Sequence, residues 1–286
     1  MKVFNTVADL QTYLKEANHK NKTVGFVPTM GALHKGHLNL VRQASQRSDI
    51  VVVSIFVNPT QFNNTKDLNR YPRDLQSDLD NLATVECDIV FAPNVKEVYP
   101  EEDKRTFDFG TLETVMEGKF RPGHFNGVAQ VVSRLFDMVK PHKAFFGLKD
   151  FQQLAIIRAM VSQLQLPVEI IACNTVREAD GLAMSSRNML LTDAQRKNAP
   201  VIAQSLSESC NFVPATTVEG MKSKVAQTIN TTDGLEVEYF EIVDGYTLQT
   251  VDNWDESNYI VGCIAVFAGE IRLIDNVTYK NTDHEC

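Results

Sequence analysis

The sequence predicts an α/β fold, a doubly wound Rossmann-like parallel sheet, joined to a second, smaller α+β domain. Short apolar runs rich in β-branched residues recur through the first half, and segments of helical period lie between them. After about Val176 that alternation gives way to two helical segments followed by three strand-like runs. The predicted division is a Rossmann-like domain over residues 1–175 and a smaller α+β lid domain over 176–286.

The runs Thr23 to Val27, Ile50 to Val57, Asp88 to Phe91, Lys143 to Phe146 and Val168 to Cys173 suit buried parallel strands. Between them, Leu38, Val41 and Ala44 share a helical face, as do Val128, Val131, Val132 and Leu135, and then Leu154, Ile157 and Val161. The polar stretch Asn63 to Asp74 reads as a mobile surface loop. In the second part, helices are predicted from Asp193 and from Val218, with Thr192 and Gln195 at capping-box spacing before the first. Strands are predicted near Val237 to Val243, Ile260 to Phe267 and Glu270 to Ile274.

With 43% hydrophobic and 22% charged residues, the 286-residue chain has ordinary globular composition. A formal net charge of -8 argues against a surface built to neutralise a long nucleic acid. The five cysteines, Cys87, Cys173, Cys210, Cys263 and Cys286, are scattered and form no C-x-x-C pair, which suggests neither a disulfide framework nor a zinc site and fits the cytoplasm. No stretch approaches ~18 uninterrupted apolar residues, so no membrane association is expected.

Chemistry concentrates where strands end. In PTMGALHKGHLNLV, Pro28 to Val41, a strand gives way to a glycine-containing turn and a helix starting near His37. Gly31 and Gly36 permit close backbone approach, a helix start presents free N–H groups, and His34 and His37 offer imidazole donors, so the segment suits an anion. The same H-x-x-H spacing also suits a helix cap or half of a metal site, although His19, His124, His142 and His284 are too dispersed to complete a metal shell. Neither a Walker A sequence nor a G-x-G-x-x-G fingerprint is present.

Three further segments follow the same logic. SIFVNPTQF, Ser54 to Phe62, opens a buried strand into a loop bearing Asn58 and Gln61, whose amide can donate to a carboxylate or accept from a hydroxyl. FGLKDFQQL, Phe146 to Leu154, is again strand end, glycine turn and helix start; Lys149 and Asp150 also suit a solvated ion pair. VREADGLAMSSRN, Val176 to Asn188, lacks apolar periodicity and reads as a loop. In KFRPGHFNGV, Arg121 and His124 precede an apolar helix.

HKGH resembles the H-x-G-H signature of the nucleotidyltransferase superfamily. Together with YPRD, the segments above occur in the order seen in the pantothenate synthetase family, over most of residues 24 to 190. The resemblance implies an ATP-dependent acid–amine ligase that joins pantoate to β-alanine through a pantoyl adenylate. It assigns His34 and His37 to catalysis and the run Met30, Gly31, Ala32, Leu33, His34, Lys35, Gly36 and His37 to ATP. Also assigned to ATP are Gly147, Leu148, Lys149 and Asp150, Val176, and Met184, Ser185, Ser186 and Arg187, the last acting as the phosphate clamp of a loop that resembles K-M-S-K-S. Gln61 and Gln153 are assigned to substrate, and the valines near Arg121 and His124 to the dimethyl end of pantoate. The resemblance also implies Mg²⁺ with ATP and a homodimer. Its acidic run after YPR is reduced here to DLQSDLDNL, so Asp78 is the clearest matching acid and the metal ligands stay unassigned. A nucleotidyltransferase acting on another small acid is the alternative.

Overall fold

The computed structural model describes residues 1–18, 21–62, 68–69 and 71–282. Residues 63–67 and 70 of the predicted surface loop, together with His19, His284 and Cys286, lie outside them. In chain order the first elements are β1 (Lys2–Phe4), α1 (Val7–Asn18), β2 (Val24–Thr29), α2 (Lys35–Ser45), β3 (Ile50–Ile55), α3 (Leu75–Leu82), β4 (Ile89–Phe91) and α4 (Val95–Val98). Then come α5 (Met116–Phe120), α6 (His124–Val139), β5 (Lys143–Gly147), α7 (Phe151–Gln163) and β6 (Glu169–Cys173). The remainder holds α8 (Asp193–Asn198), α9 (Pro200–Ser209), α10 (Val218–Asn230), β7 (Leu235–Asp244), β8 (Tyr259–Ala268) and β9 (Ile271–Asn281). None of the described helices is long and apolar enough to cross a membrane.

The chain divides into two compact units. The first comprises Met1–Phe109, Arg121–Leu148 and Gln153–Asn174, the second Gly110–Phe120, Lys149–Gln152 and Thr175–Cys286. In the first unit the strands form a six-stranded parallel sheet in the order β1-β4-β3-β2-β5-β6. All five strands predicted for it are present; β1, too short to show a pattern, pairs with β4 at the edge. Alternation along β2 sends Val27 into a core with Leu38, Val41 and Ala44 of α2, whereas the ring of Phe26 meets that of Phe136 on α6 edge-on at 6.1 Å. Both sheet faces are thereby covered, as parallel strands require. On α7 Phe151, Gln152, Leu154, Ile156, Ile157 and Met160 are buried; Val161, expected on the face of Leu154 and Ile157, is only half-buried.

The second unit is built on an antiparallel sheet, β7-β8-β9, whose strands outrun their predicted lengths. Glu270 falls in the β8–β9 turn rather than in the strand. Ile242, Ile260, Ile264 and Val266 of the sheet pack with Ile202 and Leu206 of α9 and Met221, Val225 and Ile229 of α10. The Thr192–Gln195 capping box forms as predicted, and Pro200 occupies the first position of α9, where a missing N–H costs nothing. Segments from before Val176 also belong to this unit for a visible reason. The Gln152 amide donates to the carbonyls of Leu112 and Val115 at 2.7 and 2.9 Å and accepts from the N–H of Glu117. The carboxylate of Glu117 receives both terminal nitrogens of Arg272, at 2.8 and 2.6 Å.

Candidate functional site

In open parallel sheets, ligands sit beyond the carboxyl ends of the strands where strand order reverses. Here that point lies at β2, which pairs with β3 on one side and β5 on the other. Alternate residues of β2 face the same neighbour, and His142 just before β5 donates to the carbonyl of Val24, so Val24, Phe26 and Pro28 face β5. Pro28 has no N–H to give, and the β2–β5 register extends only over Gly25 and Phe26. The loops leaving β2 at Met30 and β5 at Leu148 begin beside this break.

The first loop is tightly self-bonded. Gly31 and Ala32 both take left-handed conformations, with φ of 80° and 51°. The N–H of Gly31 donates to Thr29 Oγ1 at 3.2 Å, and those of Ala32 and Leu33 donate to the two carboxylate oxygens of Asp78 at 3.1 and 2.7 Å. Asp78 is 3% exposed, and burial pushes its carboxyl above the ordinary range against the pull of those two N–H bonds, with Asp74 adding to the rise. Helix α2 begins at Lys35, two residues before the predicted start, because His34 is its cap: Nδ1 of His34 accepts from the N–H of Gly36 at 3.1 Å, and Nδ1 of His37 accepts from the N–H of His34 at 3.3 Å.

The capping alternative for H-x-x-H is therefore realised, and it corrects the expectation of free N–H groups here: those of Gly31, Ala32, Leu33, His34 and Gly36 all have internal acceptors. It also fixes the tautomers. A nitrogen that accepts from N–H carries no proton, so each imidazole holds its hydrogen on Nε2 and can donate from there. The two ring centroids are 4.1 Å apart. Met30 is half-buried and Lys35 exposed.

The predicted strand to Val57 stops at Ile55, where the N–H of Phe56 turns to the carbonyl of Thr29 and Asn58 caps a short turn, Pro59–Gln61. Asn58, 1% exposed, accepts from the N–H of Thr60 and the hydroxyl of Tyr99, and donates to the carbonyl of Gly127 and to Gln61 Oε1. The Gln61 carbonyl accepts from His124 Nδ1 at 2.8 Å, while His124 Nε2 lies 3.1 Å from Arg121 Nη1. Because a carbonyl only accepts and a guanidinium only donates, His124 carries its hydrogen on Nδ1. Met30 joins this group through Gln61, whose Nε2 reaches Met30 Sδ at 3.1 Å.

Gly147 ends β5 and Leu148 follows it, and Gln153 is half-buried in the first turn of α7. In the second unit Lys149 Nζ stands 3.6 Å from Asp150, so the predicted ion pair exists, and Asn276 Nδ2 anchors the Lys149 carbonyl at 3.0 Å. Val176 and Met184 are joined backbone to backbone at 3.0 Å. Ser185 caps the short turn Ser186–Leu190 through the N–H of Arg187, and Asn188 braces it by donating to Glu178 and to the carbonyl of Ala183. Ser186 is buried and Arg187 half-buried. What reads as a loop without periodicity is thus a braced turn held by side-chain bonds, which leave no apolar pattern.

Residues 2–278 match the family model described as pantoate-beta-alanine ligase. The chain belongs to the pantoate–β-alanine ligase family. Among relatives named pantothenate synthetase, that of Porphyromonas gingivalis is 55% identical over 281 residues, covering 98% of this chain and all of the relative. The Bacteroides fragilis relative is 54% identical over 282 residues, covering 99% of this chain and 100% of the relative. The crystal structure of pantothenate synthetase from Thermus thermophilus superposes with a TM-score of 0.91 at 41% identity, covering 98% of this chain and all of that one. A pantoate-beta-alanine ligase from Francisella tularensis, solved in complex with "Beta-gamma ATP and Beta-alanine", gives a TM-score of 0.81 at 34% identity, with 98% of both chains covered.

Within this member of the family, several residues around the site carry weight that the motifs do not announce. Tyr99 and Gly127 hold Asn58, and Asp78 holds the turn before His34. Only the buried, polar character of Asn58 could have been suspected, from its place just after an apolar strand. Asp78, the acid that best matches the family's acidic run after YPR, has both oxygens turned to backbone N–H groups. Among the described residues no three His, Cys, Asp or Glu side chains converge as a metal site.

Proposed function

We propose that this chain condenses pantoate with β-alanine at the expense of ATP. In the first step a pantoate carboxylate oxygen attacks the α-phosphorus, the bond to the bridging oxygen breaks, and pyrophosphate leaves. In the second, the β-alanine amine attacks the acyl carbon of the adenylate, loses a proton and expels AMP. Family membership over nearly the whole chain supports this reading. The observation that carries it is the His34–His37 pair, whose Nδ1 atoms are both committed to backbone N–H groups. Their Nε2–H groups are thereby preset as donors to the oxygens on which charge grows as the P–O bond breaks.

Lys149 and Arg187 are proposed as further phosphate ligands, Arg187 with the bidentate fork that suits a pyrophosphate leaving group. The segments Met30 to His37 and Gly147 to Asp150, with Val176 and Met184 to Arg187, are the proposed ATP contacts; Gln61 and Gln153 are the proposed pantoate contacts. Magnesium enters the proposal with the nucleotide, as MgATP, and no protein carboxylate is assigned to it. A homodimer working in the cytoplasm completes the reading, the assembly to be checked by sedimentation. The deciding assay supplies ATP and pantoate with and without β-alanine and follows AMP and pyrophosphate. AMP release that depends on β-alanine is expected; pyrophosphate with a stable nucleotidyl product and no response to the amine would mark a nucleotidyltransferase instead.

A further inference from the structure

We propose that Asp78 is a positioning residue for the adenylating histidines: its buried carboxylate clamps the Gly31–Leu33 turn and thereby sets where His34 and His37 stand. Asp78 lies on α3, more than forty positions from the turn in sequence, yet Oδ2 accepts from the N–H of Ala32 and Oδ1 from that of Leu33. A side chain at position 31 would bring its Cβ within 2.8 Å of Asp78 Oδ2, so the close approach of the carboxylate, as well as the φ of 80°, demands glycine there. Ala32 follows at φ 51°, a conformation an L-residue with a Cβ holds only when its surroundings enforce it. The two N–H bonds to one carboxylate supply that enforcement.

The histidines are directly downstream. Leu33 is buried, so losing its acceptor would leave a desolvated N–H, which the turn can relieve only by moving. The next residue is His34, whose ring caps α2 and whose own N–H holds His37. A shift of the turn therefore moves both imidazoles together, and misplacement by about 1 Å costs on the order of 10²-fold in rate. A ligand role for magnesium fits this carboxylate poorly, because each oxygen already accepts an N–H and the residue is 3% exposed.

The test is Asp78→Asn, an isosteric change that keeps one acceptor and sets an amide N–H₂ against the other N–H. Its consequence for turnover rests on the function proposed above, whereas the tautomers of His34 and His37, read by ¹⁵N NMR of the imidazoles, do not. In the parent protein both rings should show an unprotonated Nδ1. In the variant that signature should be lost at both, and kcat should fall by about 10²-fold with KM for ATP and pantoate within about threefold. If the parent releases no AMP, the functional reading fails while the NMR comparison still decides the positioning claim. Unchanged tautomers overturn the proposal, and so does a raised magnesium requirement without a tautomer change, which would make Asp78 a metal ligand. Should Asp78→Asn not fold, it is introduced beside Ala32→Gly, since glycine takes a φ of 51° without enforcement. Relative to Ala32→Gly alone, its loss of kcat should then shrink severalfold, and an undiminished loss counts against the clamp.

Discussion

Asn58 Nδ2 donates to Gln61 Oε1 across 3.1 Å, and this one bond sets the polarity of the Gln61 amide. Asn58 cannot flip, because its oxygen faces the N–H of Thr60 and its nitrogen faces the carbonyl of Gly127. Gln61 consequently offers Nε2, now against Met30 Sδ, as its donor. Of the two roles that the sequence leaves open for this amide, we favour donation, the one that suits a carboxylate, because Oε1 is already engaged by Asn58.

Gln61→Glu should therefore raise the KM for pantoate at least about tenfold, since an acceptor replaces the donor and a like charge faces the substrate carboxylate. Binding of an unreactive ATP analogue, followed by calorimetry, should change less than about twofold. Lost nucleotide affinity with an unaltered pantoate KM would contradict the assignment.

His34 caps α2 and is proposed to donate from Nε2, and substitution can separate the two. Asparagine is among the best helix caps, so His34→Asn should keep the stability of α2 to within a few tenths of a kcal/mol, whereas His34→Ala should cost about 1 kcal/mol. Both lose the Nε2–H donor, and both should lose roughly 10²–10³ in kcat. Thermal melts and single-turnover AMP formation on the two variants check this; recovery of turnover in the asparagine variant would reduce His34 to a cap.

Gly127 illustrates a spacing constraint. A Cβ there would come within 2.5 Å of the Thr60 carbonyl oxygen and 2.9 Å of the Gln61 Cα, all backbone atoms that cannot swing aside. Gly127→Ala should force the Pro59–Gln61 turn away from α6, destabilising the protein by about 1–3 kcal/mol. The displacement should also weaken pantoate use more than ATP binding, as Michaelis constants for the two substrates would show.

These cases show what the sequence carried and what it left hidden. The five predicted strands and the helical faces around Leu38, Val41 and Ala44 are legible because burial imposes a period on neighbouring residues. The histidines and Gln61 are legible as motif residues at strand ends. Asp78 holds Leu33 from 45 positions away, and Tyr99 and Gly127 hold Asn58 from 41 and 69, through bonds that chain folding alone brings together, so no local pattern announces these contacts. The caps on the N–H groups of His34 and Gly36 are one of the readings that HKGH allows, whereas the Asp78 carboxylate that takes the N–H groups of Ala32 and Leu33 is supplied from outside the motif.

Asp103 contributes to the pH dependence of the first unit's stability. Its carboxylate is 2% exposed and accepts from Arg105 Nε and Nη2 and from Arg134 Nε, and the Arg105 bond foremost holds its pKa well below the usual carboxylate range. A group whose folded-state pKa is depressed binds its proton more readily when the chain unfolds, so ∂ΔG/∂pH is positive between the two values. The stabilisation is complete above the unfolded carboxylate pKa, about 3.9, and is lost as the pH falls from there toward the folded value. Asp103→Asn should cost about 2 kcal/mol at pH 7, less than a fully buried pair because Arg105 is 40% exposed, and the deficit should shrink as the pH drops below about 4. Urea unfolding of both proteins between pH 3 and pH 7 measures that convergence; parallel curves across the whole range would show that the carboxylate contributes through packing and not through its charge.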